Sequence, residues 1–166
     1  MEQLLNLLES NARLSNKEIA VMLGKTEEEI AEQIKIYEDT GVIKGYKTMI
    51  DKHKVDSESV TALIEIKVHP KLGQGFDDIA ERIAQLEEVE SIYLMSGGFD
   101  LAVMVTDKSF HEVAMFVAKR LSPLEGVIST ATHFILRKYK DQNVFFTENY
   151  TDDRGTISLW LTIMNF

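Results

Sequence analysis

The chain has 166 residues, of which 45% are hydrophobic and 27% charged, the composition of one average globular domain or two small ones. It contains no cysteine, which excludes disulfides, thiolate metal sites and thiol nucleophiles and fits a reducing cytoplasm. Its net charge of −9 speaks against binding nucleic acid over the whole surface, so any such contact must be local.

The first ten residues, MEQLLNLLES, are acidic and amphipathic, without the basic start of a secretory signal, and no apolar stretch reaches the ~20 residues that cross a bilayer. Leu4, Leu5 and Leu8 predict a short first helix ending near Ser10-Asn11. Ser15 stands three residues before Glu18, and Thr26 three before Glu29, so two capping boxes each open a helix. Ile19, Ala20 and Leu23 share one face of the second helix; Ile30, Ile34 and Tyr37 share one face of the third, Thr26–Thr40. Gly24 between them suits a tight reversal, and two helices joined this way predict a helix-turn-helix, or an ordinary helical hairpin. Val42-Ile43, Tyr46 and Met49-Ile50 read as a short strand or wing. The polar run 51–59, DKHKVDSES, reads as a linker.

From Val60 the apolar period changes from 3.6 to 2, predicting a strand that Pro70 stops. A helix over Phe76–Leu86 follows, then strands at Val89–Met95 and Phe99–Thr106 joined at Gly97-Gly98, a two-residue hairpin signal. Ser109 and Glu112 open another helix, Ser122-Pro123 ends it, and Val127–Leu136 is a last strand. The order βαββαβ predicts a ferredoxin-like αβ-sandwich, one antiparallel sheet covered on one face by two helices. The fold class is therefore α+β. Its domains are a three-helix winged helix-turn-helix at 1–50, a linker at 51–59, the sandwich at 60–140 and a tail at 141–166. The apolar run 157–166 in that tail must bury itself or be an aggregation liability.

Two segments carry a family resemblance. Ser15-x-x-Glu18-Ile19-Ala20-x-x-Leu23-Gly24, followed by Glu38-x-x-Gly41-Val42-Ile43-x-Gly45-Tyr46, resembles the DNA-binding domain of the Lrp/AsnC, or feast/famine, transcription regulators. Ser96-Gly97-Gly98-Phe99-Asp100, with Gly126-Val127, Ser129-Thr130 and Thr132, resembles that family's effector-binding module, the regulation of amino acid metabolism domain. The resemblance implies a cytoplasmic regulator that binds double-stranded DNA, responds to a small effector such as an amino acid, and assembles as a homodimer or a ring of dimers up to an octamer.

On this reading the candidate DNA-binding residues are Asn16, Lys17, Lys25, Thr26, Glu27, Glu28, Gln33, Lys35, Lys44 and Lys47. The third helix carries six acidic residues against one base, Lys35. A recognition helix presents its N-terminal part to DNA, where carboxylates repel phosphate. Family members commonly have arginines where this chain has Glu32, Gln33 and Ile36. The alternative is a ligand-sensing or interaction protein on the same scaffold that no longer binds DNA unaided.

The candidate effector residues are Gly97, Gly98, Phe99 and Asp100, joined by hydroxyls from Ser129, Thr130 and Thr132. Glycine amides would hold a carboxylate and Asp100 an ammonium group; equally, Asp100 closes its own turn, as Asx turns do. Gly98 replaces an acidic residue common in the family. The four histidines lack metal-ligand spacing, and no nucleophile triad or phosphate loop stands out, so the expectation is no catalytic residue, no metal and no cofactor.

Overall fold

The computed structural model describes residues 2–55, 59–70 and 75–146; the apolar run at 157–166 lies outside them, as do 56–58 and 71–74. The chain divides into two compact units, Met1–Met49 and Ile50–Phe166.

The first unit is three helices, α1 (Glu2–Ser10), α2 (Asn16–Leu23) and α3 (Glu27–Asp39). Both capping boxes close. The Ser15 amide donates to Glu18 at 2.8 Å and the Glu18 amide to the Ser15 hydroxyl at 3.2 Å. Thr26 and Glu29 repeat both distances. These bonds favour the charged carboxylates, so the backbone amides of Ser15 and Thr26 hold Glu18 and Glu29 below the usual glutamate range. Gly24 ends α2 at φ +64°, its amide returning to the Ala20 carbonyl. This left-handed conformation lets the N-cap of α3, Thr26, follow two residues later. Leu4, Leu8, Ile19, Ala20, Ile30 and Tyr37 form the core, with Leu14, Leu23, Ile34 and Ile43 packed against it.

Beyond α3 the expected short strand does not form: residues 42–50 are irregular and no described strand pairs with them. Gly41 turns at φ +70° and Ile43 folds back to donate to the Tyr37 carbonyl at 3.0 Å. After that, Val42, Tyr46 and Ile50 stay exposed, and Gly45 interrupts any short strand. The Tyr46 hydroxyl instead donates to Glu38 at 2.9 Å. Partial desolvation of the hydroxyl, and then this carboxylate, pushes the phenol up from its ordinary value although the ring stays largely exposed.

The second unit begins with a single helical turn, α4 (Lys52–Val55), inside the expected linker, tied to the sheet by an ion pair between Lys52 and Glu90. Its elements then run β1 (Val60–Val68), α5 (Asp77–Ala84), β2 (Val89–Leu94), β3 (Leu101–Asp107), α6 (Phe110–Phe116), a π-helical turn (Val117–Leu121) and β4 (Val127–Phe134). The sheet order is β2-β3-β1-β4, all antiparallel, which is the predicted βαββαβ arrangement. Strand period decides the faces. Ala62, Ile64, Ile66 and Val68 on β1, with Leu101, Val103 and Val105 on β3, face α5 and α6 and pack against Ile79, Ile83, Val113, Phe116 and Leu121. The opposite face, with Leu63, Glu65, Met104, Tyr93, Ala131 and His133, is the one that α5 and α6 leave open.

Two departures from expectation bear on function. The two-residue hairpin at Gly97-Gly98 is instead a six-residue connection, 95–100, because Leu94 pairs with Leu101. Neither glycine adopts the positive φ that a two-residue turn needs. A small hairpin, β5 (Lys140–Asp141) and β6 (Val144–Phe145), also follows β4, across the expected boundary between sandwich and tail at 140/141.

Candidate functional site

The helix-turn-helix presents most of its predicted DNA residues at the surface. Lys17 lies exposed on α2, Lys25 and Thr26 form the turn, Glu27 and Glu28 open α3, and Lys35 is exposed one turn before its end. At 100° per residue, Glu28, Glu32, Lys35 and Asp39 lie opposite the buried Ile30 and Tyr37. That outward stripe holds three carboxylates and one ammonium group. Asn16 and Gln33 are only half-exposed, which makes them poorer contacts, and the Thr26 hydroxyl is spent on its cap. Lys44 curls back, so that a side chain added at Gly41 would sit 3.0 Å from its Nζ. There it complements the negative end of the α3 dipole. Lys47 is exposed in the segment that follows.

Most of the predicted effector residues lie toward one end of the sheet, while Thr132, opposite Ile64, sits nearer its middle. Leu101 and Thr130 both pair with Ile66, so the 96–100 loop and the start of β4 flank the end of β1. Two strand spacings separate them, about 10 Å. The Asp100 amide donates to the Ile66 carbonyl at 3.0 Å, and its carboxylate accepts from the Val68 amide at 2.8 Å. On the other side, the His69 amide donates to the Gly126 carbonyl at 2.7 Å. Asp100 thus fastens the neighbouring strand rather than its own turn, and one carboxylate oxygen is already engaged. Gly97 and Gly98 are exposed and Phe99 is half-buried.

The three hydroxyls divide between faces. Thr130 and Thr132, opposite Ile66 and Ile64, lie on the helix side, where the Thr130 hydroxyl is 3.4 Å from that of Ser122. Ser129, opposite Lys67, lies on the open side. A cleft of about 480 Å³ lined by Ile50, Lys52, Val55, Ser59, Thr106, Asp107 and Lys108 occupies the other end of β3 and includes none of these residues. On the open face, His133 Nε2 stands 3.3 Å from the Glu65 carboxylate, a pair that periodicity placed in the sheet without pairing it.

Residues 2–44 match a winged helix-turn-helix DNA-binding domain, and residues 61–145 match the Lrp/AsnC ligand binding domain. The chain belongs to the Lrp/AsnC family. It is a DNA-binding transcription regulator of that type, with a ligand-binding second domain. It is 46% identical over 157 residues to the HTH-type transcriptional regulator YugG of Bacillus subtilis, covering 94% of this chain and 95% of that one. It is 26% identical to the leucine-responsive regulatory protein of Escherichia coli over 140 residues, 84% and 85% of the two chains. Among solved structures it resembles AsnC of Escherichia coli, with a TM-score of 0.64, 19% identity and coverage of 81% and 89%. A Neisseria meningitidis transcriptional regulator solved with L-Met gives a TM-score of 0.69 at 22% identity, covering 83% and 88%. These two likenesses concern the fold. No helix among the described residues is long and apolar enough to cross a membrane.

Proposed function

We propose that this Lrp/AsnC-family protein is an amino-acid-responsive, cytoplasmic regulator without catalytic activity, metal or cofactor, which grips duplex DNA through α2 and α3. The supporting observation is a helix-turn-helix with both capping boxes closed, Gly24 in its turn and the face of α3 uncovered. The DNA contacts are Asn16, Lys17, Lys25, Thr26, Glu27, Glu28, Gln33, Lys35, Lys44 and Lys47, with Lys17, Lys25, Lys35 and Lys47 supplying the attraction. The acidic stripe on α3 makes each head weak, and linking heads in an oligomer recovers affinity by ~10²–10⁴ without new contacts. The helix-free sheet face, where Leu63 lies opposite Met104, is the surface through which two copies meet. An amino acid binds at the sheet end formed by Gly97, Gly98, Phe99 and Asp100 with Ser129, Thr130 and Thr132. A fold neighbour was solved as a complex with an amino acid, L-Met.

The test is fluorescence anisotropy with a duplex from the protein's own upstream region and an unrelated duplex, across a salt series. Lys35→Ala should weaken both alike, since phosphate contacts position without specifying. Glu32→Arg should strengthen both and steepen log K against log salt by roughly 0.9. A wild type that binds neither duplex, with Lys35→Ala and Glu32→Arg unchanged from it, would favour the second reading. In that reading the Glu28, Glu32 and Asp39 face of α3 meets a basic partner protein instead of DNA. Thermal-shift screening of the free amino acids tests the sensor half separately, because a ligand stabilises by RT ln(1 + [L]/Kd).

A further inference from the structure

The segment that leads into the β5–β6 hairpin and opens it concentrates charge of the opposite sign to the chain's net charge. Residues 137–141, Arg-Lys-Tyr-Lys-Asp, carry three basic side chains and one acidic one in a chain whose net charge is −9. Rings hold these cations in place. Arg137 lies 4.9 Å from the Tyr139 ring centre, Lys138 5.1 Å from Phe146 and Lys140 4.8 Å from Phe145. A ring attracts a cation through its quadrupole but does not neutralise it, so the field still reaches outward. Lys138 also pairs with Asp141 at 2.8 Å, which leaves Lys140 as the clearest outward charge.

The ribbon is short and closed. Lys140 pairs with Phe145 and Asp141 with Val144, around Gln142 at φ +43° and Asn143 at φ +66°. Two successive left-handed residues make the primed two-residue turn whose twist matches the strands it joins. Lys140, Gln142 and Asn143 are all exposed, so the tip offers an ammonium group and two amides. Those are side-chain types that bind phosphate oxygens and fix a protein on a duplex without reading its bases.

We propose that this hairpin is a second DNA contact, a sequence-independent clamp on the phosphate backbone that supplies attraction the acidic face of α3 lacks. The inference rests on the DNA-binding reading. An acidic protein surface, including the α3 stripe of a second copy, would also be attracted. Duplex DNA is favoured because the exposed amides at the tip suit phosphate, and because a polyanion is the established ligand class of this family.

The experiment uses the full chain, with Lys140→Gln and Asn143→Gly as variants. The second removes an amide while keeping a residue that accepts positive φ. Binding to the upstream duplex and to an unrelated duplex of equal length is followed by anisotropy from 50 to 300 mM KCl, with light scattering alongside. Lys140→Gln should flatten the slope of log K against log salt by about 0.9 and weaken binding about eightfold at 0.1 M salt. Both duplexes should be affected equally, and Lys140→Arg should restore binding. Asn143→Gly should weaken both without changing the slope. If Lys140→Gln binds like wild type while Lys35→Ala does not, the clamp is refuted and the helix-turn-helix reading survives. If wild type binds neither duplex, both fall together. If Lys140→Gln lowers the oligomer mass and leaves the salt slope alone, the hairpin is a contact between copies and the clamp is again refuted.

Discussion

Asp100 can be removed in a way that separates holding the sheet from holding a ligand. Its carboxylate accepts the Val68 amide at 2.8 Å in a partly buried position, where β1 ends beside the 95–100 connection. Asp100→Ala leaves that amide without its acceptor. A hydrogen bond to a charged group contributes about 1.5–3 kcal/mol, and an orphaned donor costs a similar amount. At about 2 kcal/mol, a domain of this size should melt roughly 10 °C lower. Asp100→Asn keeps an oxygen that can accept from Val68 and should recover most of that loss. It also removes the negative charge an ammonium group would seek. Asn should therefore separate the roles: near wild-type melting with weakened amino-acid affinity if Asp100 meets the ligand, both near wild type if it only fastens β1. The assays are thermal unfolding at fixed protomer concentration and calorimetric titration with the amino acid found by screening. An Asp100→Ala protein melting within a degree of wild type would refute the account of Val68.

The helix-turn-helix should weaken in acid: Glu18 and Glu29 have folded values below the ordinary 4.5, so their stabilisation is complete above it and is lost as pH falls through the lower folded values. Urea midpoints of the wild type and of Glu18→Gln/Glu29→Gln should accordingly converge as pH drops from 7 toward 3. Ile64→Ala, at the centre of the buried face of β1, should cost about 2–5 kcal/mol in urea denaturation, since a cavity remains where α5 and α6 pack. Met104→Glu, beside Leu63 on the open face, should shift light scattering toward a monomer; an unchanged mass would move the proposed interface elsewhere.

The sequence announced whatever local chemistry determines. Ser15, Glu18, Thr26 and Glu29 carry their hydrogen-bond partners three residues away, so the helix starts were readable without any tertiary information. Alternation along Val60–Val68 likewise gave β1 and its buried face. What escaped depends on contacts far apart in the chain. Paired glycines at 97 and 98 suggested a tight hairpin, but Asp100 anchors on Ile66 and Val68, more than thirty residues earlier, and the strands part sooner. The segment 42–50 has apolar residues of strand type, yet a strand needs a partner, and that is not written locally. β5 and β6 are two residues each, too short to show a period; the available signal was Asn143, a residue that tolerates the left-handed conformation. At the proposed effector site, Asp100 and Thr130 are linked only through their common neighbour β1, so the family resemblance alone connected them.

The connection at 95–100 has a further consequence for how such a regulator can diversify. Its ends are fixed, with the Met95 amide bonded to the Asp100 carbonyl at 2.8 Å and Asp100 fastened to β1. Its middle is not: a side chain added at Gly97 or Gly98 would meet nothing within 4 Å, and neither residue needs a glycine's conformation. Selection can therefore substitute freely at the loop's centre while the frame keeps its register. Gly98→Val, which would block a tight turn, is accommodated here. If an effector binds at this sheet end, its identity can drift by single substitutions that leave the regulator's architecture untouched.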